Sequence, residues 1–249
     1  MGTFHEQWML ALGAALECST AQSYTSTATS YISFCELHHF PTKPTVERLC
    51  FYIVFMSHHI KPTSVKSYLS GICVELEPFY PDICSICSSK LINHTLMGCT
   101  KLYGSPAKRK RALMENDLWL IICSAPHAAM HDDLLFLAIV IVGWHCLLRL
   151  GELVDPDASH LRDFCKSISH LSVKFHDLPC PHVSLFLPMH KADRFFEGST
   201  IIFEKRTSSI DPMHFFKIYL SSCDLHFPHL PELWLHVNGH VPTCSWFIN

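Results

Sequence analysis

The residues best suited to chemistry in this chain are Arg149 and Glu152, in the fragment Leu147-Leu148-Arg149-Leu150-Gly151-Glu152-Leu153. An arginine that closes a long apolar run must be solvated by something, because burying an unpaired charge is expensive. A spacing of three on a helix or tight turn brings Glu152 to the same face as Arg149. The carboxylate then fixes the direction of the guanidinium and leaves its fork facing an anion. The plainer alternative is an arginine in the last turn of a helix that pairs with Glu152 and with nothing else.

Other constellations are weaker. Cys84-x-x-Cys87, followed by His94 and Cys99, has ligand types that could bind zinc, but the spacing to His94 and Cys99 fits no strong zinc pattern. Unligated thiols are the better reading, and no metal is expected. His38-His39 and His58-His59 read as helix caps or surface residues. The chain has no glycine-rich phosphate loop, no Gly-x-Ser-x-Gly and no HExxH, which counts against a nucleotide-driven enzyme, a serine hydrolase and a zincin.

Composition narrows the classes further. The formal net charge is −3, and 49% of the 249 residues are hydrophobic, enough for one large domain or two small ones. Residues 1–104 carry 6 Lys+Arg against 7 Asp+Glu, and residues 105–249 carry 13 against 15. Any contact with nucleic acid must therefore come from local patches. The 13 cysteines are scattered and odd in number, and the opening stretch has no basic region before its apolar residues. Reduced thiols in an intracellular protein, nuclear or cytoplasmic, are expected. The apolar run Leu134 to Leu148 is shorter than the roughly 20 residues that span a bilayer, so a buried core helix is expected and no membrane partner.

These residues need elements to position them. Tyr24, Ala28, Tyr31, Ile32 and Cys35 recur at helical spacing over Gln22 to His38. Pro41 and Pro44 end that helix. Thr45 fits an N-cap for a second helix carrying Leu49, Tyr52, Ile53 and Met56. After Pro62, Thr63 or Ser64 caps a third helix, with Val65, Leu69, Ile72 and Leu76 inward. Beyond a loop with Pro78 and Pro81, a fourth runs from about Ser88 to Leu102 and turns Leu91, Thr95, Leu96, Cys99 and Leu102 inward. Four short helices of this kind make a small bundle.

Gly104 to Arg111 is the sharpest boundary. Gly and Pro break structure there, and Lys108, Arg109, Lys110 and Arg111 follow in sequence. Such a run can track a phosphate backbone, serve as a nuclear import signal, or be a solvated linker. Asn116 or Asp117 then caps a helix with Leu118, Ile121 and Ile122. Asp132 and Asp133 open the apolar helix, where they face its positive dipole end. Leu171 to Phe175, Val183 to Leu187 and Ser199 to Phe203 read as strands. Asp211-Pro212 starts a helix through Phe215, Phe216, Tyr219 and Leu220, and an aromatic-rich tail follows.

The Arg149–Glu152 fragment, placed after a helical region and a basic linker, resembles box I of the tyrosine recombinases of phage-integrase type. The surrounding chain looks like the version found in fungal mobile elements, and the resemblance runs from about Tyr24 to Phe247. It implies a mainly α fold with a small β-sheet. Residues 1–104 would be an N-terminal helical core-binding (SAM-like) bundle, and 105–111 a basic linker crossing the duplex. Residues 112–249 would be a partial α+β DNA breaking-rejoining catalytic domain. The implied partner is double-stranded DNA, in recombination and integration, with no cofactor. Lys61, Lys66, Lys90 and Lys101 would be phosphate contacts of the bundle, the plain alternative being solvated lysines on helix faces. Arg149 would be the first catalytic arginine and Glu152 its acidic neighbour. Lys191, in His190-Lys191-Ala192-Asp193, would be the hairpin lysine that protonates the leaving 5′ oxygen, the alternative being a hairpin lysine facing water.

The chain departs from that pattern after Lys191. None of the 19 histidines has an arginine three positions on, the last arginine is Arg206, and the last tyrosine is Tyr219. The family's His-x-x-Arg box and nucleophilic tyrosine are therefore missing. Cys84 and Cys87 stand where family members often carry basic residues. The resemblance then implies a truncated or decayed copy that grips DNA without cutting it alone. Homo-oligomer formation on DNA would suffer, since the family assembles by exchanging C-terminal segments. The rival expectations are a non-catalytic helical binding module and a decayed mobile-element fragment with exposed apolar surface.

Overall fold

Prolines and caps cut the first half of the chain into short helices. In a computed structural model, residues 7, 18–126, 130–190, 193, 195, 197–207 and 210–249 are described. The chain divides into two units, Met1–Lys110 and Arg111–Asn249. The described residues are mainly helical, with one small antiparallel sheet of three strands. None of their helices is long and apolar enough to cross a membrane.

The first unit contains α1 (Cys18–Leu37), α2 (Val46–Ser57), α3 (Pro62–Leu76), α4 (Ile83–Cys87) and α5 (Lys90–Tyr103). After α1, His39 takes a left-handed conformation (φ 54°). Phe40 N–H donates to Cys35 O at 2.8 Å and His39 N–H to Glu36 O at 3.2 Å, a Schellman closure that satisfies the last carbonyls. Thr45 caps α2, its Oγ1 accepting from Arg48 N–H at 3.3 Å. The cap expected from Thr63 or Ser64 is not used. Pro62 is the first residue of α3, and Lys61 precedes it without a side-chain cap bond. Proline suits that position because its φ is preset and its missing N–H would be unpaired anyway.

Two further details differ from the sequence expectation. The short helix α4 lies where a loop was expected. Leu91 and Leu102 are exposed and Ile92 is buried instead, whereas Cys99 is buried as expected. The core of this unit joins Tyr31 and Phe34 of α1, Leu49, Tyr52 and Ile53 of α2, and Val65, Leu69 and Ile72 of α3. Each such fully buried side chain contributes about 1.5–3 kcal/mol relative to exposure. The rings of Tyr31 and Tyr52 meet edge to face, 5.5 Å apart between centroids.

The second unit contains α6 (Glu115–Ser124), α7 (His131–His145), β1 (Lys174–His176), β2 (His182–Leu187), β3 (Ser199–Glu204), α8 (Pro212–His226) and α9 (Cys244–Ile248). Asp117 is not the cap of α6. It is the third helical residue, and its carboxylate accepts the Met114 N–H at 2.8 Å. Asp133 does the same for Met130 at the start of α7, also at 2.8 Å. Helix α7 is apolar all round because it is buried on two sides. Leu135, Ala138, Ile139 and Val142 join the main core, whereas Leu137 and Ile141 pack with Leu118 and Ile210.

The sheet has the order β1-β2-β3, with Phe175 opposite Val183 and Val183 opposite Phe203. Val183, Leu185, Leu187 and Phe203 are buried on one face, the alternation expected of a half-covered sheet. The first strand starts later than expected, because His170–Ser172 forms a 3-10 turn with Leu171 exposed. Asp211 caps α8, accepting from Met213 N–H at 3.1 Å, and Phe216 and Tyr219 lie in the main core. The segment after α8 is stitched back onto earlier loops. Leu233 N–H donates to Ile168 O and His170 N–H to Pro231 O, each at 2.8 Å. Asp155 N–H donates to Pro242 O at 2.8 Å and Cys244 N–H to Asp155 O at 3.0 Å.

Candidate anion-binding site

The end of α7 sets the position of Arg149. Leu147 has φ 54°, and Leu148 N–H donates to Gly143 O at 2.9 Å. This second Schellman closure stops the helix short of the arginine. Leu148 and Leu150 pack against the main core, so the residue between them in the extended chain points the other way. Arg149 is thus not in the last turn of a helix, the plainer sequence alternative. It is extended (φ −79°, ψ 146°) and precedes a 3-10 turn over Leu150–Glu152.

Glu152 closes that turn. Its Oε2 accepts the Arg149 backbone N–H at 2.8 Å, and its Oε1 accepts from the Arg149 guanidinium at 3.0 Å. The Arg149 side chain is 61% exposed and that of Glu152 only 10%. The pair is asymmetric: the carboxylate is nearly hidden, and the cation it holds faces outward. One guanidinium nitrogen is engaged by Glu152, and the remaining N–H groups can meet a planar or tetrahedral oxyanion.

The wall behind the turn is acidic. Glu152, Asp155, Asp163 and Glu232 line a small cleft with Lys166 and Trp234. Burial pushes the Asp155 carboxyl up, and Arg162, with Nε 3.9 Å from Asp155, partly opposes this. The cleft itself suits no anion. The outward face of Arg149 is the side open to an oxyanion.

Lys191 lies outside the described residues, so only its place in the chain is known, between β2 and β3. What the structure adds there is Asp193, which the sequence reading passed over. Its carboxylate accepts from Gly198 N–H at 2.7 Å and Phe195 N–H at 3.1 Å, and these bonds hold its pKa below the usual carboxylate value, that to Gly198 most. Gly198 has φ 71°, and a Cβ there would stand 2.3 Å from Phe186 Cζ. Only glycine fits both demands. An aspartate with a glycine five residues on, between two strands, is the sequence signal that could have found this turn.

Of the other basic residues, Lys61 and Lys90 stand at the N-terminal ends of α3 and α5, Lys66 lies within α3, and Lys101 lies in the last turn of α5. All four are exposed, as are Lys108, Arg109 and Lys110 on a stretch without regular structure. Arg111 is exposed but engaged. Its two terminal nitrogens donate to the two Asp117 oxygens, each at 2.7 Å. The structure brings Arg149 together with Glu152, and Arg111 together with Asp117.

Tyr219 is wholly buried. Its hydroxyl donates to Leu233 O and accepts from Leu235 N–H, both at 2.8 Å, and its ring stacks on Trp234 at 5.4 Å. Burial pushes its pKa far above the ordinary value. A phenol so placed is a structural fastener and is not available as a nucleophile. Among the described residues no group of His, Cys, Asp or Glu is arranged to hold a metal ion. No family model matches the chain, and no curated protein matches it.

Proposed function

We propose that this chain is a DNA-binding protein of the tyrosine recombinase/integrase type that grips duplex phosphates without breaking them. The observation that carries this reading is the Arg149–Glu152 turn, which offers an outward guanidinium fixed by a nearly hidden carboxylate. In this reading residues 1–104 act as the helical core-binding (SAM-like) module. The exposed Lys61, Lys66, Lys90 and Lys101 meet the backbone, and Lys108, Arg109 and Lys110 follow it between the units. The second unit acts as a partial DNA breaking-rejoining domain in which Arg149, with Lys191, receives one phosphate.

Two features support binding without cleavage. The chain has no His-x-x-Arg box, and its last tyrosine spends both hydrogen-bonding functions on the backbone of Leu233 and Leu235. Cleavage requires an exposed hydroxyl aimed at phosphorus and a second arginine to hold the developing charge.

The test is duplex binding against salt, for the intact chain and for Arg149→Ala, with a nicked suicide substrate in the same reactions. The expected result is affinity that falls steeply with salt, weaker binding by the variant and no covalent adduct. Each phosphate contact removed lowers the salt slope by about 0.9. A covalent protein–DNA adduct would refute the non-cleaving part. Absence of binding at low salt would refute the proposal as a whole.

A further inference from the structure

Each end strand of a sheet has one row of backbone groups without a ladder partner. In β3 that row can be identified. Lys205 N–H donates to Pro181 O at 3.0 Å, and the register pairs Val183 with Phe203, Leu185 with Ile201 and Leu187 with Ser199. Hydrogen-bonded pairs recur at every second residue of an antiparallel ladder, so residues 199, 201, 203 and 205 turn their backbone groups to β2. Thr200, Ile202 and Glu204 turn theirs outward. Among the described residues, none of these three takes a backbone partner from another element. Their side chains are exposed on the open face of the sheet, that of Ile202 by 58%.

The two edges of the sheet are not alike. β1 has three residues, carries Lys174 and follows closely on the 3-10 turn at His170–Ser172. Shortness and lysine both keep an edge from pairing. β3 has six residues, Ser199–Glu204, with no proline, glycine or lysine among them and a single charge, at its end. We propose that β3 is a dimerisation edge. It pairs antiparallel with β3 of a second copy of this chain about a two-fold axis at Ile202, and the two three-stranded sheets become one.

The register follows from the strand itself. An axis at Ile202 sets each Ile202 opposite its own copy and each Thr200 opposite the partner's Glu204. Every outward N–H and C=O of the strand is then paired. The Thr200 hydroxyl donates to the facing carboxylate, and the two isoleucines cover each other. The neighbouring registers are worse. An axis at Ile201 sets Glu204 opposite Gly198, whose φ of 71° lies outside the strand conformation. An axis at Phe203 sets the Glu204 carboxylate against Ile202 and runs past the strand to residue 206. A foreign strand can use the same backbone groups, but a second copy brings its hydroxyl and carboxylate already in matching positions. One strand pair is a small interface, below about 1,200 Å², so a reversible dimer that half-dissociates at roughly micromolar concentration is expected.

The experiment uses the full chain without DNA, so its result is independent of the DNA-binding reading. Sedimentation of the reduced protein over a roughly hundredfold range of concentration around micromolar should show a monomer–dimer equilibrium. Ile202→Lys places two like charges face to face on the axis and should weaken the dimer by about tenfold. Circular dichroism should not change, because Ile202 is exposed in the monomer. Cross-linking reads the register. The tryptic peptide from Phe195 to Lys205 holds no native cysteine, so a link through it reports an introduced one. With Ile202→Cys and oxidised glutathione this peptide should be found linked to itself, since facing Cα atoms about 5.5 Å apart are within disulfide reach. Thr200→Cys should not link to itself, because the two positions lie about 13 Å apart along the strands. Mixed with Glu204→Cys, it should link. A chain that stays monomeric would overturn the proposal and leave the edge to a strand of another protein. A dimer indifferent to Ile202→Lys, or self-linking by Thr200→Cys ahead of Ile202→Cys, would also overturn it. Sedimentation of the unaltered chain decides the question even if a variant fails to fold.

Discussion

Glu152 holds Arg149 at two points, the backbone N–H at 2.8 Å and the guanidinium at 3.0 Å. The two bonds differ in worth. The first caps a turn that would otherwise have a free N–H, and such caps contribute about 1 kcal/mol. The second is an ion pair whose cation is largely in water, where coupling is about 0.2–1 kcal/mol. Glu152→Ala is therefore expected to cost about 1–2 kcal/mol in urea denaturation, and Arg149→Ala much less. A double-mutant cycle should return a coupling under about 1 kcal/mol. A coupling well above 2 kcal/mol would show that the arginine is committed to structure rather than presented to a ligand.

Tyr219→Phe removes one oxygen and strands two backbone groups. The carbonyl of Leu233 and the N–H of Leu235 both depend on that hydroxyl. An unpaired buried polar group costs about 1–3 kcal/mol, so a loss of about 2–4 kcal/mol is expected. Denaturant unfolding followed by tryptophan fluorescence measures it, with Trp234 stacked on the altered ring. A change below about 0.5 kcal/mol would mean that the hydroxyl is not the fastener described.

Asp117 gives the second unit an acid-sensitive contact. Bonding by Arg111, and secondarily by the Met114 N–H, lowers its pKa from 3.8 to about 2. A carboxyl whose folded pKa lies below its unfolded value binds fewer protons in the folded state between the two. Its contribution is present above about pH 4 and is lost as pH falls through about 2. Asp117→Asn should therefore lose less stability than the unaltered protein between pH 4 and 2. Urea midpoints across that window check this, and parallel acid limbs for the two proteins would refute it. The pair is open to solvent, so the difference should be small and should shrink with salt.

Leu147→Gly should stabilise the protein. Leu147 has φ 54° and is 88% exposed. It incurs the left-handed penalty of about 1–2 kcal/mol and buries little in return. Glycine removes that penalty, offset by its own entropy cost of roughly 0.5–1 kcal/mol. A net gain of a few tenths to about 1 kcal/mol is expected, read as a rise in thermal midpoint. A loss of stability would show that the leucine side chain has a partner.

What the sequence made legible was local. Thr45 and Asp211 announced their helices because a cap and the N–H it accepts lie two or three residues apart. The apolar run of α7 was readable because a helix buried on two sides has no polar face. The inward stripe of α5 was misread by one residue at its start: Leu91 and Ile92 are both large and apolar, and only the packing partners on α2 and α3 decide between them. The stretch at Leu171 alternates as a strand does, but Ser172 Oγ donates to Ser169 O and accepts from Phe186 N–H, and that turn replaces the strand. In the candidate site the Arg149–Glu152 pair was visible from spacing. The left-handed Leu147 that aims it was not, since nothing in a leucine predicts positive φ.

The stitching of the tail onto the Arg149 turn has a consequence for timing. Asp155 exchanges backbone hydrogen bonds with Pro242 and Cys244, and Ile168 receives one from Leu233. Roughly ninety residues must follow the arginine out of the ribosome before the turn that aims it has its permanent supports. Pairings so distant in sequence close slowly. While the chain is still being made, α7 is an apolar rod with half of its cover unsynthesised. The first unit can finish folding during that interval. The second must wait for the segment through Cys244, so a chaperone that holds apolar helices would bind nascent chains ending between residues 150 and 230 in preference to shorter ones or to ones extended past Cys244.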